Sequence, residues 1–404
     1  MATLDIIFLN EISKLSSNAE RWNPYPWYKE MRDHHPVFYD EGQRVWNVFR
    51  YDDVKRVLSD FTTFSSERKR SLIPVPVQDN GINLSFSDPP VHRKRRGLLA
   101  KAFTPRSLES WKPRIQAVAD MLIDKIASDD MSKPIDMMKD FAVPLPVTII
   151  ADLLGVPNQD WAKIKEWSDI LFMPHHAEGI EETTKLKGQT MQTFAEYLLP
   201  LVQHKRKNPQ NDILSDLTQA EYDGERLKDE EIVYTGIGLL GAGNETTTTW
   251  LTNAFYSFID EGIYPKLRED PSLIPGAAEE VLRYRFTASM DRTVTEDTDI
   301  FGPPMKKGDI IIAWISSANR DEDHFANANQ FDITRKNSRD HLTFGNGEHF
   351  CLGAPLARLE TQIALSSFIR RFPSIRFASG FRPEEHLLKH GFTLTSLPIM
   401  IEQS

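Results

Sequence analysis

The spacing of hydrophobic residues changes along the chain from a period typical of strands to one typical of helices. Over residues 37–49 apolar and polar residues alternate around an Asp-Glu-Gly sequence at 40–42, which predicts a β-hairpin. Helical spacing begins at Asp52 and Asp53 and recurs over residues 114–126 and 161–172. The pattern predicts a small sheet near the N-terminus and a chain dominated by helix.

One stretch, residues 232–259, carries a single charge, Glu245, and has acidic residues at both ends. A helix over this stretch would be about 40 Å long, enough to cross a domain, and its apolar composition requires it to be largely buried. A lone carboxylate is costly to bury without a partner or a role. Two interpretations are open from the residues alone: Glu245 has a function, or it is a hydrogen-bonded structural residue.

The composition is that of a globular protein, because 40% of the 404 residues are hydrophobic and 26% are charged. Prolines punctuate the predicted elements, yet no linker rich in glycine, serine or proline and no internal repeat divides the chain. We therefore expect a single domain over residues 1–404. The net charge of −10 argues against a protein that binds nucleic acid.

The cysteine content and the N-terminus bear on the compartment. Cys351 is the single cysteine, which excludes an intrachain disulfide and favours a reducing environment. The apolar run at residues 6–9 is too short for a signal peptide, and no uncharged apolar stretch reaches the length of about 18 residues that a membrane span needs. We expect a cytoplasmic protein without a membrane span.

Three glycines, Gly236, Gly238 and Gly241, match the dinucleotide-binding pattern G-x-G-x-x-G, and Asp260 follows at a suitable distance. Such a site needs a hydrophobic strand directly before the glycines, but residues 232–235 are few and follow three acids. We therefore reject the dinucleotide site. The alternative is that the glycines thin one face of a helix so that something bulky approaches its backbone.

Two histidine pairs, at positions 34–35 and 175–176, suggest a metal site at first sight. Neither pair has cysteine or carboxylate ligands at zinc-like spacing, so we do not expect them to bind a metal. The chain contains no C-x-x-C-H motif, which excludes covalently attached haem and a cytochrome c.

The sharpest chemical signal surrounds Cys351. Glycines at 345, 347 and 353 flank the cysteine, and a helical pattern follows over residues 354–370. Such glycines let backbone N–H groups point at the sulfur, and the following helix terminus favours negative charge there, so a thiolate is stabilised. A lone cysteine is more often a small buried hydrophobe, but the flanking pattern favours a metal ligand.

Residues 344–353, FGNGEHFCLG, resemble the haem-ligand loop of the cytochrome P450 superfamily, F-G-x-G-x-H-x-C-x-G. The closest resemblance is to soluble bacterial members, in particular to the steroid and fatty-acid hydroxylases of the Bacillus type. By this resemblance Cys351 is the metal ligand of a haem b, an iron protoporphyrin IX. The other residues of the loop that the resemblance places against the cofactor are Phe344, Gly345, His349 and Gly353.

The E-x-x-R motif of the same family is matched by Glu280 and Arg283, and Arg335 matches the arginine that completes its ion-pair triad. From spacing alone, Glu280 and Arg283 would be read as a pair on a helix surface. The resemblance implies instead that the three residues are structural and hold the haem-side core together.

Residues 242–246, AGNET, resemble the family motif A-G-x-[DE]-T of the central helix. Ala242, Gly243 and Thr246 share one turn, and their small side chains leave room beside the metal for dioxygen and, at Ala242, for the cofactor. The resemblance implies that Glu245 and Thr246 are catalytic residues of a proton relay that favours O–O cleavage. The alternative for Thr246 is a capping or packing threonine.

Residues 88–96, DPPVHRKRR, resemble the family segment D-P-P-x-H-x-x-x-R, in which the histidine and the arginine bind the haem propionates. His92 and Arg96 take these places and share one helix face, as contacts to an anionic group require. Arg292 and His349 match two further propionate positions. Without the resemblance, each would be read as a solvated surface charge.

A basic run continues through the same segment on an otherwise acidic protein. Its members are Arg93, Lys94, Arg95 and Lys101. By resemblance this run lies on the thiolate side of the haem, where an acidic electron donor would dock. The alternative is that these charges serve only solubility.

The resemblance implies a mainly α fold with a small β-rich lobe, the cytochrome P450 fold. It also implies a monooxygenase that uses dioxygen to hydroxylate a lipophilic small molecule such as a steroid, fatty acid or terpenoid. Electrons would come from a ferredoxin or flavodoxin with an NAD(P)H-dependent reductase, and we expect a monomer. Two alternatives are open: a peroxide-driven peroxygenase, and a haem-binding sensor without catalytic activity.

By the same resemblance the substrate pocket is lined from residues 72–86, 170–173, 239–242, 286–290 and 392–395, which are mainly apolar. The residues that we expect to contact substrate are Leu239, Ala242, Phe286, Thr287, Ala288 and Phe392.

Overall fold

Helices account for most of the computed structural model, which describes residues 7–67, 72, 84–172, 180–388 and 393–402. The α-helices in this part of the chain are α1 (Leu9–Ser13), α2 (Asn18–Trp22), α3 (Tyr25–His34), α4 (Tyr51–Ser59), α5 (Val91–Ala100), α6 (Pro105–Ser128), α7 (Pro144–Leu153), α8 (Trp161–Phe172), α9 (Ile180–Lys207), α10 (Ile213–Gln219), α11 (Asp229–Asp260), α12 (Tyr264–Glu269), α13 (Ile274–Tyr284), α14 (Ile315–Ala318) and α15 (Ala354–Arg371). The expected mainly α fold is confirmed.

Within the described residues, the strands form three small sheets. They are β1 (Val37–Asp40), β2 (Val45–Val48), β3 (Phe64–Ser65), β4 (Ile135–Asp136), β5 (Glu221–Tyr222), β6 (Glu225–Arg226), β7 (Met290–Val294), β8 (Ile310–Ala313), β9 (Ser374–Phe377) and β10 (Pro398–Glu402). The largest sheet has the order β1-β2-β8-β7-β3, the second has the order β4-β10-β9, and β5 and β6 form an isolated hairpin. The hairpin predicted over residues 37–49 is confirmed, because β1 and β2 pair antiparallel with Val37 opposite Val48.

The long apolar stretch forms α11, a helix of 32 residues. It begins earlier than predicted because the acidic residues before the stretch form its first turn, where negative charge suits the helix dipole and the Glu231 side chain accepts the Lys228 N–H at 2.7 Å. All three glycines of the G-x-G-x-x-G pattern lie inside this helix, so they do not form the turn between a strand and a helix that a dinucleotide site needs. A methyl group at Gly236 would lie 3.2 Å from Leu214 of α10, so this glycine permits close helix packing.

The main hydrophobic core surrounds the C-terminal half of α11. Phe255 and Phe258 are fully buried there, and Phe255 packs on Phe141 and Phe368 at ring-centroid distances of 6.1 and 4.8 Å. A second core lies between the five-stranded sheet and α4. Among the described residues, no helix combines the length and apolar character that crossing a membrane requires. The two cores hold α11 and the sheet on either side of the loop that carries Cys351.

Candidate active site

Cys351 lies in a loop between a 3-10 turn, Gly347–His349, and the N-terminus of α15. The Cys351 N–H donates to the Phe344 carbonyl at 2.8 Å and closes the loop. Gly345 and Gly347 have φ angles of 75° and 70°, in the left-handed region, and a side chain on Gly347 would meet the Ser59 Cα at 2.9 Å. The path of the backbone therefore requires these two glycines. We call residues 344–353 the Cys loop.

The sulfur of Cys351 is surrounded by groups that favour negative charge. Burial raises the pKa of the thiol above its ordinary value. The backbone N–H groups of Gly353 and Ala354, which donate to the sulfur, and the charges of Arg96 and Arg358 offset part of that rise. Because the two N–H groups belong to the start of α15, the helix terminus points its positive end at the sulfur. This setting suits a thiolate that binds a metal cation.

Ser66, which follows β3, joins the Cys loop to two other elements. Its Oγ lies 2.9 Å from His349 Nε2, and its N–H donates to Asp88 Oδ1 at 3.0 Å. Asp88 also accepts a hydrogen bond from Ser65 Oγ at 2.5 Å and stands just before α5. Strand β3 pairs with β7, the strand that carries Arg292. The start of α5, the Cys loop and the sheet edge therefore converge at Ser66.

His92 of α5 is fully buried, and neither of its ring nitrogens has a hydrogen-bond partner among the described residues. Its ring centroid lies 4.1 Å from that of His349. The pKa of His92 is lowered, mainly because the ring is buried and also because Arg96 is positively charged. Arg292 is 3% exposed and donates to the Asp291 carbonyl at 2.8 Å. A buried imidazole without a protein partner is costly unless a group from outside the chain bonds to it. The setting therefore suits an anionic ligand.

Helix α11 exposes one stripe although most of its other faces are buried. Gly238, Ala242, Glu245 and Thr246 are exposed, and their spacing places them on one face of the helix. A Cβ added at Gly238 or Gly243 would meet no atom within 4 Å. The small residues therefore leave room for a large group beside the middle of the helix.

The polar groups of this stripe have few fixed partners. Thr246 Oγ1 donates to the Ala242 carbonyl at 2.8 Å, which leaves the oxygen free to accept. Although Glu245 is exposed on this face, the protein around it partly desolvates its carboxylate and raises the pKa, and the charge of Lys187 on α9 opposes that rise. Burial likewise lowers the pKa of Lys187 to about 8, against the effect of Glu245. Sequence reasoning missed Lys187, because nothing in its helical spacing sets it apart from Lys185.

The Cys loop and α11 lie side by side. Trp250 of α11 packs edge-on against Phe344 at 5.9 Å between ring centroids, and its Nε1 donates to the Ala278 carbonyl at 2.8 Å. Three features together fit a haem: a sulfur next to groups that favour negative charge, the buried His92 ring without a hydrogen-bond partner among the described residues, and the open face of α11. Cys351 would bind the iron, and cationic side chains would bind the carboxylates.

The predicted triad is brought together around Glu280, which is fully buried. Arg283 Nη2 and Arg335 Nε donate to Glu280 Oε1 at 2.7 and 3.1 Å. Arg283 also donates to the Asn319 carbonyl at 2.9 Å, and the Asn319 side chain bonds Thr343, the residue before the Cys loop, at 2.9 Å. The surface-pair interpretation is wrong, because α13 is covered by these segments on the side that carries the motif.

The predicted substrate-contacting residues are only partly described. Leu239, Phe286, Thr287 and Ala288 are half-buried, and the Ala288 N–H donates to Ser316 Oγ at 2.6 Å. Phe392 and most of residues 72–86 lie outside the described part of the chain.

The first histidine pair lies at the end of α3. His34 is 3.8 Å from Glu30 on an exposed helix surface, and no group of three or more metal-ligating side chains occurs within the described ranges. Positions 175 and 176 lie outside those ranges.

The comparisons with known proteins agree with this geometry. The cytochrome P450 family model matches residues 5–402. Cytochrome P450(MEG) of Priestia megaterium is 48% identical, with 98% of each chain covered. Erythromycin C-12 hydroxylase of Saccharopolyspora erythraea is 37% identical, with 90% of this chain and 91% of that protein covered.

Among solved structures, CYP109E1 of Bacillus megaterium in complex with corticosterone is similar, with a TM-score of 0.85 and 38% identity. The alignment covers 95% of this chain and 99% of that one. The expected resemblance to Bacillus members is confirmed. The chain therefore belongs to the cytochrome P450 family and is a haem monooxygenase.

Proposed function

We propose that this P450 hydroxylates a steroid or a similarly apolar small molecule, with Cys351 as the ligand of the haem iron. The observation that carries the ligand assignment is that Cys351 lies just before the N-terminus of α15, where the backbone N–H groups of Gly353 and Ala354 act on its sulfur. When bound, the haem supplies the activation of dioxygen. The chain's own residues bind the cofactor edge, exclude water and deliver protons.

The carboxylates of the haem would be held by His92, Arg96, Arg292 and His349. Support comes from the buried His92 ring, whose nitrogens have no partner in the described residues, and from its contact with His349. Hydrogen bonds to charged groups are stronger than those between neutral groups, so an anionic edge would compensate for the burial of these side chains.

Proton delivery is assigned to Glu245 and Thr246. The hydroxyl of Thr246 donates its proton to the Ala242 carbonyl at 2.8 Å, which leaves its oxygen available as a hydrogen-bond acceptor on the open face of α11. Partial desolvation raises the pKa of Glu245, which suits a group that both takes up and releases a proton.

The preference for a steroid rests on two observations. The half-buried lining residues Leu239, Phe286 and Ala288 are apolar, and CYP109E1, at 38% identity, has been solved with corticosterone. A macrolide is the second candidate, because erythromycin C-12 hydroxylase is 37% identical, almost the same identity as that of CYP109E1. Burial of apolar surface drives binding of either class.

Titrating the ferric holoenzyme with corticosterone, a long-chain fatty acid, a terpenoid and erythromycin tests the substrate class. We expect corticosterone to produce a saturable shift from low to high spin and, with a ferredoxin, its reductase and NADPH, a product with one added oxygen atom. If no steroid shifts the spectrum while another class does, the steroid assignment is wrong. A spin shift without product from any class would instead favour the sensor.

Electrons would enter from a ferredoxin or flavodoxin that docks beside α5. The basic run is less available than its sequence suggests, because Arg93 pairs with Glu348 at 2.6 Å and Lys94 pairs with Glu225 at 2.5 Å. Arg95 makes no ion pair within the described residues, and neither does Lys101. The docking charge is therefore concentrated on these two side chains.

The peroxygenase alternative needs neither an electron donor nor the pair of Glu245 and Thr246. Supplying hydrogen peroxide in place of the donor separates the two reactions. The proposed monooxygenase forms product with the donor and NADPH and little with peroxide, and the reverse result would favour the peroxygenase.

A further inference from the structure

A second buried charge cluster lies next to the E-x-x-R triad. Glu279 of α13 is 2% exposed. It accepts two hydrogen bonds from Arg358 of α15, from Nε at 2.6 Å and from Nη2 at 3.0 Å, and its Oε2 lies 3.1 Å from His341 Nε2. We call Glu279, His341 and Arg358 the Glu279 cluster.

The hydrogen bonds within the Glu279 cluster show which of its side chains are charged. The Thr343 N–H donates to His341 Nδ1 at 3.2 Å, so Nδ1 carries no proton and the proton is on Nε2, which donates to Glu279. The ring is therefore neutral, in agreement with the lowering of its pKa by burial. Burial alone would raise the pKa of Glu279, but the hydrogen bonds from His341 and Arg358 lower it to about 2. The cluster holds one negative and one positive charge.

The cluster touches the Cys loop through Phe344. The Arg358 guanidinium lies 4.7 Å from the centroid of the Phe344 ring, and the His341 ring lies 5.6 Å from it. The Phe344 carbonyl in turn accepts the Cys351 N–H at 2.8 Å. Buried charges are screened far less than exposed ones, so a change in either charge of the pair acts on the sulfur and on what it binds.

We propose that Glu279 and Arg358 act as a compensated charge pair that sets the reduction potential of the iron bound by Cys351. The proposal rests on Cys351 being the iron ligand, as proposed above. Both residues are positioning residues, since neither touches the reacting atoms. The uncompensated Arg358 charge would favour the reduced iron, and the uncompensated Glu279 charge would favour the oxidised iron.

Potentiometric titration of the holoenzyme variants tests this assignment. We expect Glu279→Gln to raise the potential and Arg358→Gln to lower it, each by about a tenfold change in the ferrous-to-ferric ratio, which is about 59 mV for one electron. The double variant should return close to the wild-type value. A packing defect does not depend on the sign of the charge that was removed. A merely structural role therefore predicts that both variants shift the potential in the same direction or do not shift it.

Arg358→Lys keeps the positive charge but loses the bidentate hydrogen bond to Glu279. If the glutamine variants do not retain haem, the reduction potential of this lysine variant tests the proposal instead. We expect its potential to stay near the wild-type value, and a shift as large as that of Arg358→Gln overturns the proposal. Glu221→Gln, which alters an exposed pair with Arg226 at 3.0 Å, is the control and should not move the potential.

The spectrum of the reduced carbon monoxide complex distinguishes failure of this proposal from failure of the ligand assignment. If the wild type lacks the red-shifted band of a thiolate-bound haem, the assignment of Cys351 is wrong. If the band is present but the two glutamine variants do not shift the potential in opposite directions, the assignment stands and the charge-pair proposal falls.

Discussion

The two sides of the haem region are built differently. On the Cys-loop side most polar groups have hydrogen-bond partners. Asp88 accepts a hydrogen bond from the Ser66 N–H, Glu280 accepts from two arginines, and Glu279 accepts from Arg358. On the α11 side the polar groups are few, and Glu245 and Thr246 are exposed. A site that must hold a cofactor and its charge gains from fixed dipoles, whereas groups that pass protons must change partners. The difference indicates a rigid ligand side and an adjustable oxygen side.

Removing the sulfur is the most severe way to break the rigid side. Cys351→Ser should abolish the thiolate-type carbon monoxide spectrum and all monooxygenase activity, because a neutral hydroxyl does not replace a thiolate at the iron. The measurement is the reduced carbon monoxide difference spectrum of the purified variant. A variant that kept the wild-type band would show that another residue binds the iron.

The buried triad provides the next largest effect. Glu280→Gln leaves Arg283 and Arg335 buried with an uncompensated charge, which should destabilise the holoenzyme by about 3–5 kcal/mol. The urea concentration at the midpoint of unfolding, followed through haem absorbance, measures the loss. Glu221→Gln removes one partner of an exposed pair and should leave the midpoint unchanged. Equal midpoints for the two variants would contradict the structural role of the triad.

On the α11 side the expected effect falls on coupling and not on stability. Thr246→Ala removes the hydroxyl of the proposed proton relay, so the share of NADPH electrons recovered in product should fall roughly tenfold or more, while electron uptake continues. Thr246→Ser keeps the hydroxyl and should retain most of the coupling. If the alanine variant couples as well as the wild type, Thr246 is only a packing residue, as its bond to the Ala242 carbonyl would then suggest.

The electrostatic interaction between Glu245 and Lys187 makes the α11 side sensitive to pH. The Lys187 charge lowers the pKa of Glu245, so Lys187→Gln should raise that pKa and move the acidic limb of the coupling-versus-pH profile to higher pH. Above about pH 8, where Lys187 loses its own proton, variant and wild type should converge. Lys185→Gln, on the exposed surface of the same helix, is the control. Superimposable profiles would show that Lys187 does not act on Glu245.

The sequence predicts those parts of the site that are encoded in short segments. The Cys loop, the AGNET turn and the E-x-x-R motif each place their residues within one turn or loop, so spacing and family resemblance are sufficient. The contact of Ser66 with His349 joins residues that are distant in the chain, and no local pattern announces it. No local pattern indicates that Lys187 acts on Glu245 either. Both interactions depend on how distant elements pack, which hydrophobic periodicity does not specify.

The Glu279 cluster is predicted by the sequence only in part. An acid directly before the E-x-x-R motif, at Glu279, is visible in the sequence, and a helix arginine at 358 is visible beyond the Cys loop. What the sequence does not show is that α13 and α15 bring them to 2.6 Å, or that His341 completes the cluster. Adjacent residues 279 and 280 thus face different partners, which a motif that names only one of them does not reveal.

The smallest expected effect concerns the surface of the rigid side, where the β5–β6 hairpin lies on α5. A side chain on Gly97 would collide with the Tyr222 ring, and Glu225 pairs with Lys94 at 2.5 Å, so the hairpin neutralises part of the proposed docking surface. Glu225→Gln should release Lys94 and speed association with an acidic ferredoxin roughly two- to threefold at low salt, with the gain lost at high salt. Stopped-flow reduction at several ionic strengths measures the rate. Glu221→Gln removes the same charge from the same hairpin but frees Arg226 instead, so an equal acceleration in both variants would attribute the effect to net charge and not to Lys94.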